Sequence, residues 1–182
     1  MRTVRFGGRV TMMVGLTGVP GSGKTTVADI LEERGIRVIR INDTITPYIL
    51  GEDPDRDTKI INEELWADEF QIIDGVVEGH LAHLLPCDRI IILRCNPDII
   101  IDRLIRRGYS SEKAKENALA EALDTVLIES LESFDPEVIY EFETTDINST
   151  VVADYVQDVL MDRGTPSYGH CDWSDYLLSY MP

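Results

Sequence analysis

One octapeptide constrains this chain more than any other feature. Gly18-Val19-Pro20-Gly21-Ser22-Gly23-Lys24-Thr25 satisfies the pattern Gly-x4-Gly-Lys-Ser/Thr at every fixed position. Its three glycines let the main chain wrap an anion without Cβ clashes. Successive amide N–H groups then converge as a nest, and a helix opening at Lys24 adds the positive end of its dipole. The flanks suit that geometry. Residues 10–17 read as a buried strand, and residues 24–34 place Val27, Ile30 and Leu31 on one helical face before Gly35. The motif therefore predicts a loop that holds a nucleoside triphosphate. Lys24 reaches the β- and γ-phosphates, and the Thr25 hydroxyl is a ligand for Mg²⁺.

Beyond the loop, strand and helix patterns alternate. Residues 36–41 read as a second strand, 42–59 as a polar, mobile stretch, and 60–72 as a helix. Residues 76–78 form a short third strand after the Asp74-Gly75 turn, and 89–94 a fourth around Ile90-Ile91-Ile92-Leu93. A helix over 98–106 breaks at Gly108-Tyr109, and Ser110 or Ser111 caps the next one. That helix reads as long, because Leu119, Leu123, Leu127 and Leu131 recur at every fourth position beside Ala114, Ala118 and Ala122, a core stripe. Residues 138–142 supply a fifth strand and 150–161 a closing helix. The tail from Gly164 is irregular, with Trp173 and Tyr176 as anchors. The 182 residues suffice for one domain. The fold class is α/β, a P-loop NTPase with a five-stranded parallel sheet, helices on both faces and a short lid. Ligands of such sheets sit beyond the carboxyl ends of the strands.

Candidate site residues fall at those ends. Glu78 closes the third strand and is the better candidate to face the metal, through water; Asp74 lies at the strand's other end. His80, two residues on, is placed to orient a water or a phosphate oxygen, against the competing reading of a buried, satisfied histidine. His80 and His83 have the spacing of paired helix ligands, but zinc needs a third and none is evident. Arg103, Arg106 and Arg107 precede the Gly108 hinge and suit a lid that stabilises transferring phosphoryl charge, with Arg103 and Arg107, four apart, on one helix face and Arg107 bordering the hinge; the competing reading is a solvated helix end. Asp53-Pro54-Asp55-Arg56-Asp57 with Glu64 resembles a calcium loop, but Thr58 stands where the sharp turn needs glycine. A mobile acidic lip around the acceptor nucleotide is the better reading.

Composition narrows the partners. A net charge of -16 repels a nucleic-acid backbone, so general nucleic-acid binding is not expected; the acidity is compatible with a basic protein partner, against the favoured competing reading of solubility alone. Three cysteines without CxxC spacing suit a reducing cytoplasm. No apolar run reaches membrane-spanning length, and the start, with Arg2, Arg5 and Arg9, carries no apolar signal region. Residues 1–11 read as an extension.

Several segments together resemble the adenylate kinase isoenzyme 6 family in its archaeal branch. They are Thr17 to Thr26, Val77 to His83, Ile92 to Cys95, Arg103-Leu104, Arg107 to Ser110, Glu116-Asn117, Ala120-Glu121 and Cys171 to Trp173. The resemblance runs from Met13 to about Trp173 and implies a nucleoside monophosphate kinase that converts ATP and AMP to two ADP, with a broad acceptor range and ATPase activity; residues 1–182 read as a single domain of that kind. It implies a monophosphate-binding segment at 41–64 and a lid at 106–116, with Gly21, Gly23, Lys24, Thr25, Thr26 and Arg107 contacting ATP. It further implies a role in small ribosomal subunit maturation through a basic small-subunit ribosomal protein. The family's strand-three motif is often Asp-x-His, and Glu78-Gly79-His80 departs from it conservatively. An ATPase assembly factor and a small-metabolite kinase are the competing functions.

Overall fold

A computed structural model describes residues 5–6, 9–10, 12–53 and 58–178. Two short strands, β1 (Arg5–Phe6) and β2 (Arg9–Val10), pair antiparallel. Then follow β3 (Met13–Thr17), β4 (Val38–Arg40), β5 (Ile49–Asp53), β6 (Thr58–Ile61), β7 (Gly75–Glu78), β8 (Arg89–Arg94) and β9 (Ile139–Glu143). Interleaved with them are α1 (Lys24–Glu33), α2 (Glu63–Glu69), α3 (Pro97–Arg106), α4 (Ser111–Ala122), α5 (Thr125–Ser133), α6 (Ser149–Leu160) and α7 (Ser174–Leu178). Five strands form one parallel sheet in the order β4-β7-β3-β8-β9, and β5 and β6 form a separate hairpin.

The pleat divides each central strand between two cores. Val14, Leu16, Ile91 and Leu93 meet Val27 and Leu31 of α1 and Val152, Val156 and Val159 of α6. Met13, Ile90 and Ile92 meet Trp66 of α2 and Leu127 of α5 on the other face. Covering both faces is what the unbroken Ile90-Ile91-Ile92-Leu93 run requires, and each such side chain contributes about 1.5–3 kcal/mol when buried. A third cluster packs Val19 of the P-loop against Ile100 and Leu104 of α3 and Ala114 and Ala118 of α4. Among the described residues no helix is long and apolar enough to cross a membrane.

Four expectations need correction. The first strand begins at Met13, and Val10 belongs to β2, while Thr11 and residues 1–4 and 7–8 of the expected extension lie outside the described residues. The stretch 42–59 is not featureless: 3₁₀ turns at Ile41–Asp43 and Thr46–Tyr48 lead into the β5–β6 hairpin. Residues 54–57 of the acidic lip lie outside the described residues. The helix expected over 60–72 spans only Glu63–Glu69, because β-branched Thr58, Ile60 and Ile61 pair as β6 and Asn62 then caps α2 by accepting from Leu65 N. The long helix is two helices. Asp124 breaks it in a left-handed conformation, φ 55, which turns its carboxylate to Arg94 Nη2 at 2.5 Å. Leu123 and Leu131 consequently face solvent, while Leu127 and the alanines stay buried.

Candidate active site

The P-loop connects β3 to α1 at the carboxyl edge of the sheet. Gly18 has φ 133, and a Cβ there would meet the Leu93 carbonyl oxygen at 2.4 Å. Gly23, φ 102, is the N-cap of α1, so no side chain caps the helix and no acidic residue enters its first turn. The first-turn amides of α1 thus lack the usual side-chain acceptor, which is the arrangement an anion completes. Ser22 Oγ is also buried without a hydrogen-bond partner. Lys24 is 7% exposed and folds back, donating from Nζ to the carbonyls of Gly18 at 2.8 Å and Val19 at 3.0 Å. Burial lowers its pKa to about 8, a shift that Glu78 and Glu121 oppose and Arg107 adds to.

Parallel pairing of β3 with β7 sets Leu16 opposite Glu78 and so brings that carboxylate beside the P-loop. Thr25 Oγ1 donates to Glu78 Oε1 at 3.4 Å, and Arg40 Nη1 lies 3.8 Å from Glu78 Oε2. A hydroxyl and a carboxylate converging at the N-terminus of α1 are hard oxygen donors of the type Mg²⁺ takes. Asp74 sits at the opposite end of β7, where Oδ1 accepts from Met12 N.

His80 follows Glu78 on an exposed turn, with its carbonyl accepting from buried Thr17 Oγ1 at 3.2 Å. Surrounding protein, then Lys24, His83 and Lys113, lower its imidazole pKa, so the ring is neutral near physiological pH. His83 turns away from it. Its Nδ1 lies 3.2 Å from Thr17 Oγ1 and its Nε2 2.9 Å from Glu129 Oε2, so the two histidines do not form a ligand pair.

The three arginines separate. Arg103 Nη1 donates to the Gly21 carbonyl at 2.9 Å, and Arg103 and Arg107 line a 190 Å³ cavity with Gly21, Gly23, Thr26 and Ile147. Arg106 does not line it and is exposed. Lys113, in the first turn of α4, donates to Thr58 Oγ1 of β6 at 2.6 Å, joining the expected lid to the hairpin.

No role for Thr144, Arg94, Glu121 or Glu141 follows from the sequence pattern alone. Thr144 Oγ1 lies 2.9 Å from the Ser22 carbonyl and 2.8 Å from that of Arg94, clamping the P-loop to the end of β8. Thr144 directly follows β9, so the strand-end rule could have found it. Arg94, 2% exposed, joins Glu121 of α4, Asp124 and Glu141 of β9. Trp173 Nε1 of the tail donates to Glu121 at 3.3 Å, and Tyr176 packs on the α3–α4 cluster. No local spacing announces that network.

A model of the AAA domain family matches residues 14–124. A protein of Natronomonas pharaonis named "Putative adenylate kinase" is 39% identical over 171 residues, covering 91% of this chain and 100% of that relative. A protein of Methanocaldococcus jannaschii with the same name is 36% identical over 178 residues, covering 93% of this chain and 97% of the relative. Among solved structures, the shikimate kinase of Acinetobacter baumannii in complex with shikimate superposes with a TM-score of 0.57. It is 17% identical and covers 84% of this chain and 94% of its own, a likeness of fold.

Proposed function

The chain belongs to the archaeal family whose members carry the name "Putative adenylate kinase", and on that premise we propose that it transfers the γ-phosphoryl group of ATP to AMP or another nucleoside monophosphate. The observation that carries the reading is the uncapped α1 N-terminus beside a buried, inward-folded Lys24, with Thr25 and Glu78 converging next to it. In this reading the amides of Gly21, Gly23, Lys24, Thr25 and Thr26 bind the triphosphate. Lys24 leaves its carbonyl partners for the β- and γ-oxygens. Thr25 and Glu78 would hold Mg²⁺, which would neutralise phosphate charge when bound. Arg107 closes over the γ-phosphate from the lid at 106–116, and His80 orients a water or phosphate oxygen. Residues 41–64 receive the monophosphate. Catalysis is then positioning and charge stabilisation without a covalent enzyme intermediate.

The finer assignment, to the adenylate kinase isoenzyme 6 family, adds acceptor-free ATP hydrolysis, a cytoplasmic location and help in small ribosomal subunit maturation. The net charge of -16 supports a basic ribosomal protein as the partner. A panel of monophosphates and small metabolites, each incubated with Mg²⁺ and ATP, tests the assignment. AMP-dependent ADP formation that Lys24→Ala abolishes is the expected result. ADP formed equally without an acceptor makes the protein primarily an ATPase, and dependence on a metabolite makes it a metabolite kinase. Near-full transfer by Lys24→Ala overturns the proposal.

A further inference from the structure

Beneath the active-site turn, one hydroxyl hydrogen faces two acceptors. Thr17 is fully buried at the end of β3, and its Oγ1 lies 3.2 Å from the His80 carbonyl oxygen and 3.2 Å from His83 Nδ1. On the far side of the imidazole, Nε2 lies 2.9 Å from Glu129 Oε2 of α5. A carboxylate only accepts, so Nε2 carries a hydrogen in this pair. A neutral ring then has none on Nδ1, and the Thr17 hydroxyl must choose between Nδ1 and the His80 carbonyl. An imidazolium donates from Nδ1 to Thr17 Oγ1 as well, and that second hydrogen frees the hydroxyl to donate to the His80 carbonyl.

We propose that His83, gripped by Glu129, is a positioning residue for His80, setting through the Thr17 hydroxyl how firmly the turn carrying His80 is held beside Lys24. The inference rests on the assignment of His80 to the active site. The groups acting on the His83 ring are Glu129 from α5, Glu63 from α2, Thr17 from β3 and, turned away from it, His80, while Asp68 of α2 lines the same cleft. Burial lowers the His83 pKa and Glu129 opposes that shift, so the resting form is neutral and the hydroxyl is contested. Acidification adds the missing hydrogen and anchors the His80 carbonyl. Protons have a route, because Glu129 is 49% exposed. A histidine that only fastened α5 to the sheet would affect stability without linking its titration to turnover.

The test uses Thr17→Val, which keeps the shape and removes the hydroxyl, Thr17→Ser, which keeps the hydroxyl, Glu129→Gln and His80→Ala. Each is assayed for ATP turnover against pH on the full chain. Thr17→Val is expected to lower kcat about tenfold, the equivalent of about 1.4 kcal/mol for one buried hydrogen bond, with KM for ATP within about twofold. Thr17→Ser restores kcat. The acid-limb inflection of kcat disappears in Thr17→Val and moves to lower pH in Glu129→Gln, because removing the anion disfavours the imidazolium. Wild-type kcat in Thr17→Val, or an inflection untouched in both variants, overturns the proposal. If Thr17→Val fails to fold, the inflection of Glu129→Gln decides alone. Unchanged turnover in His80→Ala instead sinks the assignment of His80; an impaired His80→Ala beside an unimpaired Thr17→Val sinks only the positioning claim.

Discussion

Arg94→Met removes one cation from the centre of a buried network while keeping an unbranched side chain. In the wild type, Nε donates to Glu121 Oε1 at 2.6 Å, Nη2 to Asp124 Oδ1 at 2.5 Å and to the Glu121 carbonyl at 3.0 Å, and Nη1 to Glu141 Oε1. The Glu121 and Glu141 side chains are 2% and 1% exposed, so solvent cannot replace the lost charge. Breaking a buried pair from one side costs about 3–5 kcal/mol. An exposed pair such as Arg163–Asp158 contributes about 0–1 kcal/mol. For a domain of this size the loss lowers Tm by on the order of 10 °C. Its pH dependence has a fixed sign. Burial already raises the Glu121 pKa despite Arg94, and removing Arg94 raises it further. A carboxyl whose folded pKa exceeds its unfolded value supports the fold below the unfolded pKa and loses that support as pH rises through the folded pKa. Urea unfolding followed by circular dichroism should therefore show a larger deficit at about pH 8 than at about pH 5. A deficit below about 1 kcal/mol at the higher pH, or one that does not vary, refutes the reasoning.

Further expectations concern the site. A triphosphate beside Lys24 favours the ammonium form, so ATP binding takes up a proton above about pH 8 and its affinity falls by up to about tenfold per pH unit; calorimetry in buffers of differing ionisation enthalpy measures both. Gly18→Ala forces a side chain into φ 133 and against the Leu93 carbonyl, and should cost about 1–3 kcal/mol in thermal unfolding as well as ATP binding. Arg107→Ala should lower kcat on the order of 10³-fold, as removal of a charge-stabilising arginine does, while Arg106→Ala, outside the cleft, remains near wild type. Equal losses in the two variants contradict the distinction.

The parts legible in the sequence are those with local signatures. The P-loop is a fixed spacing within eight residues, and the Ile90-Ile91-Ile92-Leu93 run announces a strand buried on both faces. Strand order followed less directly: Glu78 could be named from its place after an apolar run, but its nearness to Thr25 depends on β7 pairing with β3. Periodicity misled where tertiary contacts override it. The leucine spacing continues through Leu123, yet Asp124 breaks the helix because Arg94, 30 residues earlier, draws its carboxylate. Thr17 and His83, 66 residues apart, likewise meet only because the parallel sheet brings two strand ends together. Among the arginines, the four-residue spacing of Arg103 and Arg107 already puts those two on one helix face and Arg106 off it, as the cavity lining shows.

Backbone amide NMR shifts on adding Mg²⁺ with a non-hydrolysable ATP analogue bear most directly on the phosphate-binding role of the loop. If the N–H groups of Gly21, Gly23, Lys24 and Thr25 grip the β- and γ-phosphates, their resonances should move downfield together and saturate at one equivalent. Saturable binding that leaves those four resonances in place while shifting others would contradict the account.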